Sequence, residues 1–170
     1  IFVGVMILFE KQAGTTSALV VTPLQPWQYL LSKSISLSVP AIIVSLAMVF
    51  ASKAGGSYFL VTIAVVLTSV LFLLLGFVGA QQVKTFNQYI LIIPMFLVPF
   101  CIPLVDYLGL WNSQLMWVFP TYASLKLLSA AFGEVNTMEI LLSILILITS
   151  IYLAWIWAMQ VYKKKMIEAA

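Results

Sequence analysis

Four apolar runs, each close to 20 residues and free of charge in its central part, constrain this chain more than any other feature. They occupy residues 27–52, 58–80, 89–105 and 139–162. An α-helix needs about 20 apolar residues to cross the roughly 30 Å of bilayer hydrocarbon. In that medium backbone N–H and C=O groups find no water, so only helices and closed barrels can span. The runs lack the period-2 alternation of a barrel strand. The chain is therefore expected to be all-α, a polytopic transmembrane helix bundle forming a single domain over residues 1–170. Hydrophobic residues make up 64% of it and charged residues 8%, against about 25% charged in soluble domains.

Residues 1–9 read as the end of an earlier span, which leaves the bilayer at Glu10 and Lys11. Residues 10–26 form a polar interruption. Gly14 suits a helix C-terminus, and Thr15, Thr16 and Ser17 are N-cap types for a short following helix that carries Leu19 and Val20. That helix is stopped at Thr22 and Pro23, and after Leu24 a second proline, Pro26, suits the first turn of the next span. Trp27 and Tyr29 at that mouth, with Lys33, are expected to lie in the headgroup layer. Pro40 is a candidate kink. Pro94, Pro99 and Pro103 predict that the second half of residues 89–105 is irregular or broken. Residues 106–138 contain stretches too brief to cross, and are expected to lie at one membrane face or dip partly into it. The last span ends in Tyr152, Trp155, Trp157 and Tyr162, then Lys163-Lys164-Lys165, with residues 163–170 as a tail.

All eight basic residues are lysines. Placing Lys11, Lys33, Lys84 and the terminal triple on one side, and Lys53 and Lys126 on the other, gives the stronger positive-inside bias. Residues 10–33 and the C-terminus are then cytoplasmic in a cell (inner or plasma) membrane, and residues 106–138 external. The net charge of +3 follows this topology, and no nucleic-acid partner is inferred from it. Cys101 reads as a small buried hydrophobe. There is no histidine.

Chemistry is sparse. The span centres hold no Asp, Glu, Lys, Arg or His, which disfavours a self-sufficient ion-coupled carrier. No phosphate-binding G-x-x-x-x-G-K-[ST] loop occurs. No nucleophile–base set, paired carboxylates or zinc spacing suggests a catalytic site, a bound cofactor or a metal. Work done by such a chain has to be powered by a partner. Residues 10–33 suit that role as a short helix joined to two spans. Spacing alone equally allows an amphipathic linker resting on the headgroups.

Glu10-x-x-x-Gly14-Thr15, then Leu19, Thr22-Pro23-Leu24, Tyr29-Leu30-Leu31 and Lys33 resemble the cytoplasmic signature of type-2 ABC exporter permeases. The layout beyond is similar, including the loop at residues 81–88, Phe119-Pro120-x-Tyr122 and Leu127-Leu128-x-x-Ala131, which resemble that family's re-entrant external helices. The first span and much of the second are missing from this stretch by that comparison, and Lys11-Gln12 stands where the family usually carries arginines near Glu10. The resemblance implies the C-terminal two-thirds or so of a permease. Its coupling helix, within Glu10, Lys11, Gly14, Thr15, Leu19, Val20, Thr22, Pro23, Leu24 and Lys33, docks on a separate ATPase subunit that binds the ATP and Mg. A second permease copy, identical or not, completes the conduit among membrane lipids. Phe100, Trp111, Trp117, Phe119 and Tyr122 are candidates for a hydrophobic substrate's path at the external mouth, or else interfacial anchors. The uncharged spans favour an amphipathic drug or lipid-like cargo over a sugar polymer. Two other classes stay open: a non-transporting binding or immunity-type membrane protein, and a lipid-modifying enzyme whose polar residues lie upstream.

Overall fold

A computed structural model describes residues 4–6, 8–9, 13, 26–52, 55–83, 85–109, 114–133 and 136–169. Helix begins in residues 4–6 and 8–9. It is followed by α1 (Pro26–Ser52), α2 (Tyr58–Gln82), α3 (Phe86–Tyr107), a 3₁₀ turn (Gln114–Val118), α4 (Pro120–Ala130) and α5 (Thr137–Ala169). No strand occurs among the described residues. Four segments are long and apolar enough to cross a membrane: Trp27–Ala51, Tyr58–Gln82, Phe86–Asp106 and Thr137–Tyr162. At 1.5 Å per residue, a 25-residue helix such as α2 covers about 37 Å, enough to span with some tilt. The chain is an α-helical, multi-pass membrane protein.

The bundle is built around α2, against which α1, α3, α4 and α5 all pack. Of the apolar stretch of α2, 44% is buried inside the protein, against 12–17% for the other three spans. Leu71, Leu74, Phe77 and Val78 of α2 form the core with Leu30, Tyr89, Leu127, Leu147 and Ala158. Small residues bring α1 onto α2. Ser34 and Ser38 are buried and donate back to the carbonyls of Leu30 and Ser34 at 2.8 and 2.7 Å. Ser69 of α2 then donates to Ser38 Oγ at 3.2 Å. Lipid tails are as apolar as leucine, so close approach and such interhelical bonds hold spans together where burial from water cannot.

The prolines do not break α3, contrary to the sequence expectation: it runs as one helix through Pro94, Pro99 and Pro103. A proline forfeits one backbone bond. Unwinding in hydrocarbon would orphan several groups at several kcal/mol each, so the helix is the cheaper state. Pro40 likewise lies inside a continuous α1. Cys101, read as buried, is exposed on α3. A thiol on that helix's outer face meets no water in a bilayer and so needs no protein cover.

The segment after α3 turns at Gly109, whose φ of 75° favours glycine. Pro120 occupies the first turn of α4, where its missing N–H costs nothing. The Ser57 N–H donates to the Ala131 carbonyl at 2.7 Å. The last turn of α4 is thereby fixed to the first turn of α2. From there α4 runs back along α2, with Ser124 and Leu128 facing Ala64, Thr68 and Phe72. The ten residues from Ala131 to Thr121 descend roughly 15 Å if α4 lies parallel to α2, which brings the start of α4 near the middle of α2.

Candidate functional site

Of the expected coupling segment, Glu10, Lys11, Gly14, Thr15, Leu19, Val20, Thr22, Pro23 and Leu24 lie outside the described residues. Lys33 is placed. Its ammonium stands 5.8 Å from the centre of the Tyr29 ring. Tyr29 in turn lies 6.4 Å from both Phe77 and Tyr162, and Phe77 stacks on Tyr162 at 5.9 Å. This aromatic cluster ties the start of α1 to the end of α2 and the end of the apolar stretch of α5. Tyr162 is buried, whereas Trp27, Tyr152 and Trp157 are exposed. The expected headgroup belt is thus divided, and part of it is core.

Nearby, the helix of residues 4–6 presses on α3 so closely that a Cβ on Gly4 would overlap the Tyr89 hydroxyl. Phe9 stacks on Phe86 at 5.9 Å. The preceding segment and the start of α3 are therefore locked at the same end as the aromatic cluster.

Away from that end the structure brings together Trp117, Tyr122 and the charges of Asp106, Lys126 and Glu139. Trp117 meets Tyr122 edge-on at 5.3 Å. Lys126 lies 5.7 Å from the Tyr122 ring centre and 3.5 Å from the Glu139 carboxylate. Burial pushes the Tyr122 phenol above its ordinary value; the Lys126 ammonium pulls it down, and a hydrogen bond to Asp106 raises it further. The phenol therefore stays protonated and donates to Asp106, linking the end of α3 to α4. Trp117 and Tyr122 were candidates from the sequence, but their link to Lys126, Asp106 and Glu139 was not legible, because the two acids sit on α3 and α5. Phe119 precedes α4 as its N-cap, and Trp111 lies outside the described residues.

Phe100 is not part of that group. It meets Phe72 edge-on at 6.0 Å and lines a narrow cleft of about 60 Å³ between α2 and α3, with Gly76, Gly79, Tyr89 and Leu97. A second cleft of about 270 Å³ lies between α2 and α4, lined by Thr68, Ser69, Phe72, Ser124 and Leu125. Phe72 belongs to both, so the two adjoin along one side of α2. The lining is apolar and aromatic with a few hydroxyls, which can hold an amphipathic organic molecule by shape and stacking. Among the described residues no group of three His, Cys, Asp or Glu side chains gathers as a metal site.

Comparison with known proteins gives a consistent result. The Fluoroquinolones export permease protein family matches residues 1–170. Two fluoroquinolones export permease proteins of Mycobacterium tuberculosis, from strains CDC 1551 and H37Rv, are each 35% identical over 140 residues. Those residues are 79% of this chain and 58% of the relatives, so the chain matches under two-thirds of their length. No solved structure matches. The match of that family over residues 1–170 places this chain in the fluoroquinolones export permease family.

Proposed function

We propose that the protein is the membrane subunit of an ABC exporter that expels an aromatic, amphipathic drug, with fluoroquinolones, the compounds in the relatives' names, as the first class to test. The match of the export-permease family over residues 1–170 carries this reading. The clefts beside Phe72 support it, being apolar and aromatic with a few hydroxyls. ATP and Mg are handled by a separate ATPase subunit, and this chain binds neither. Residues 10–33 dock on that ATPase, and the Tyr29 end of the bundle with the terminal lysines is cytoplasmic. Two permeases and two ATPases form the working unit.

The test is reconstitution of the full-length permease with its ATPase in inverted vesicles. ATP-dependent accumulation of a fluoroquinolone is expected, with none when the ATPase cannot hydrolyse ATP. Accumulation independent of ATP, or none in the intact complex, overturns the reading. Replacing Gly14, Thr15 and Leu19 together should abolish co-purification with the ATPase; unchanged association and transport would remove the docking role.

A further inference from the structure

Neither cleft beside Phe72 is a finished site for a drug-sized molecule, which fills a pocket of about 300–1,000 Å³. The cleft between α2 and α3 holds about 60 Å³ and the one between α2 and α4 about 270 Å³. Phe72 lines both, and its edge-on contact with Phe100 at 6.0 Å joins the two walls of the narrow one. An aromatic pair of this kind is weak: its loss shifts an equilibrium only about two- to tenfold.

The walls of the narrow cleft are unequal. Helix α2 is the centre of the bundle, with 44% of its apolar stretch buried, whereas α3 has 12%. On the α2 side Gly76 and Gly79 contribute no side chain, and a Cβ on Gly79 would meet nothing within 4 Å. On the α3 side the lining residues run from Tyr89 to Phe100, a stretch that contains Pro94 and Pro99. Each proline forfeits the bond to the carbonyl four residues back, so this stretch bends at lower cost than a fully bonded helix. Both ends of α3 are held. Phe86 stacks on Phe9 at 5.9 Å and Tyr89 packs against Gly4, while at the other end Asp106 accepts from the Tyr122 hydroxyl. A helix fixed at its ends, weakly packed and short of bonds in its middle gives way by bowing there.

We propose that α3 bows away from α2 between its fixed ends, parting Phe100 from Phe72 and joining the two clefts into one site that takes an aromatic, amphipathic molecule from the bilayer. This rests on the export reading above and adds where the cargo enters and which wall moves. Ile92 lines the narrow cleft and is 42% exposed, so the gap borders lipid. An incoming ring there exchanges acyl chains for Phe72 and Phe100 without crossing water.

The experiment uses the full-length permease with its ATPase in lipid nanodiscs, in a Cys101→Ser background. Spin labels on Ile90, Val98 and Leu104, all exposed on α3, are each paired with one on the exposed Leu145 of α5. Adding a fluoroquinolone should lengthen the distance from Val98 and leave those from Ile90 and Leu104 unchanged. No change at Val98, or an equal shift of all three, overturns the proposal. The second measurement is ATP-dependent accumulation in inverted vesicles. In Phe72→Cys combined with Phe100→Cys, a short bifunctional methanethiosulfonate should block accumulation, and reduction should restore it. Pro94→Ala with Pro99→Ala, which returns two helix bonds, should slow accumulation about fivefold, the scale of one hydrogen bond. Accumulation untouched by the cross-link and by the two alanines sinks the bowing wall and keeps export. Displacement at Val98 without any accumulation does the reverse.

Discussion

Phe77→Ala isolates how this bundle is held together. The ring is 1% exposed and touches two others, at 5.9 Å to Tyr162 and 6.4 Å to Tyr29. In a soluble core such a truncation costs about 3–5 kcal/mol, part of it the transfer of apolar surface out of water. In a bilayer that part largely vanishes, because separated helices already keep Phe77 in hydrocarbon. The cavity remains: a loss of roughly 100 Å³ at about 24 cal/mol per Å³ gives about 2.4 kcal/mol if neighbours do not collapse. Two lost ring pairs add about 0.5–1.5 kcal/mol each. Partial collapse offsets some of this, so about 3 kcal/mol is expected. The measurement is reversible unfolding in mixed micelles against SDS, with Phe59→Ala as the control. Phe59 lies on the same helix and is 73% exposed, so its loss should stay under about 0.5 kcal/mol. Comparable losses for the two variants would refute packing as the main source of stability at this end.

Ser38→Ala removes the acceptor of the Ser69 bond and should cost only about 0.6 kcal/mol by the same unfolding assay, the average for interhelical hydrogen bonds in membranes. Lys126→Met breaks a contact whose side chains are 28% and 39% exposed; it should cost at most about 1 kcal/mol and lose its effect at high salt. Gly56→Val should be more severe, about 1–3 kcal/mol, because a Cβ there would sit 2.9 Å from the Ala131 carbonyl oxygen and push α4 off α2. Increased cysteine-reagent labelling at Ser124→Cys in the Gly56→Val background would report that displacement.

The spans were legible because hydrocarbon allows so few backbone solutions that run length and missing charge nearly suffice. Relations between runs were not. Nothing local distinguishes Tyr29 and Tyr162, which face the core, from Trp27 and Trp157, which do not, since packing decides which side of a helix is covered. The three prolines of α3 were over-read by importing their behaviour in water, where an interrupted helix can bond to solvent. The descent of α4 was signalled by Pro120 and its neighbours, but its depth depends on the Ser57–Ala131 bond between residues far apart in the chain. The resemblance that suggested a docking segment rests on residues 10–33, of which residues 10–12 and 14–25 lie outside the described part.

The same absence of water makes the clefts along α2 affordable. In a soluble protein, open grooves beside Phe72 would expose apolar surface at about 25 cal/mol per Å². In a membrane, lipid chains fill them at little cost. Stability can then be concentrated elsewhere: in the serine seam between α1 and α2, in the Tyr29–Phe77–Tyr162 cluster, and in α4 pinned at its outer turn to α2. Helix α3 takes part least, with 12% of its apolar stretch buried, and its far end is held through the Asp106–Tyr122 contact. A molecule that enters beside α3 therefore displaces lipid rather than a packed core. Lipid competes well for ring surface and not for hydrogen bonds, so the few hydroxyls of the cleft between α2 and α4, Thr68, Ser69 and Ser124, are what can discriminate between two equally greasy molecules.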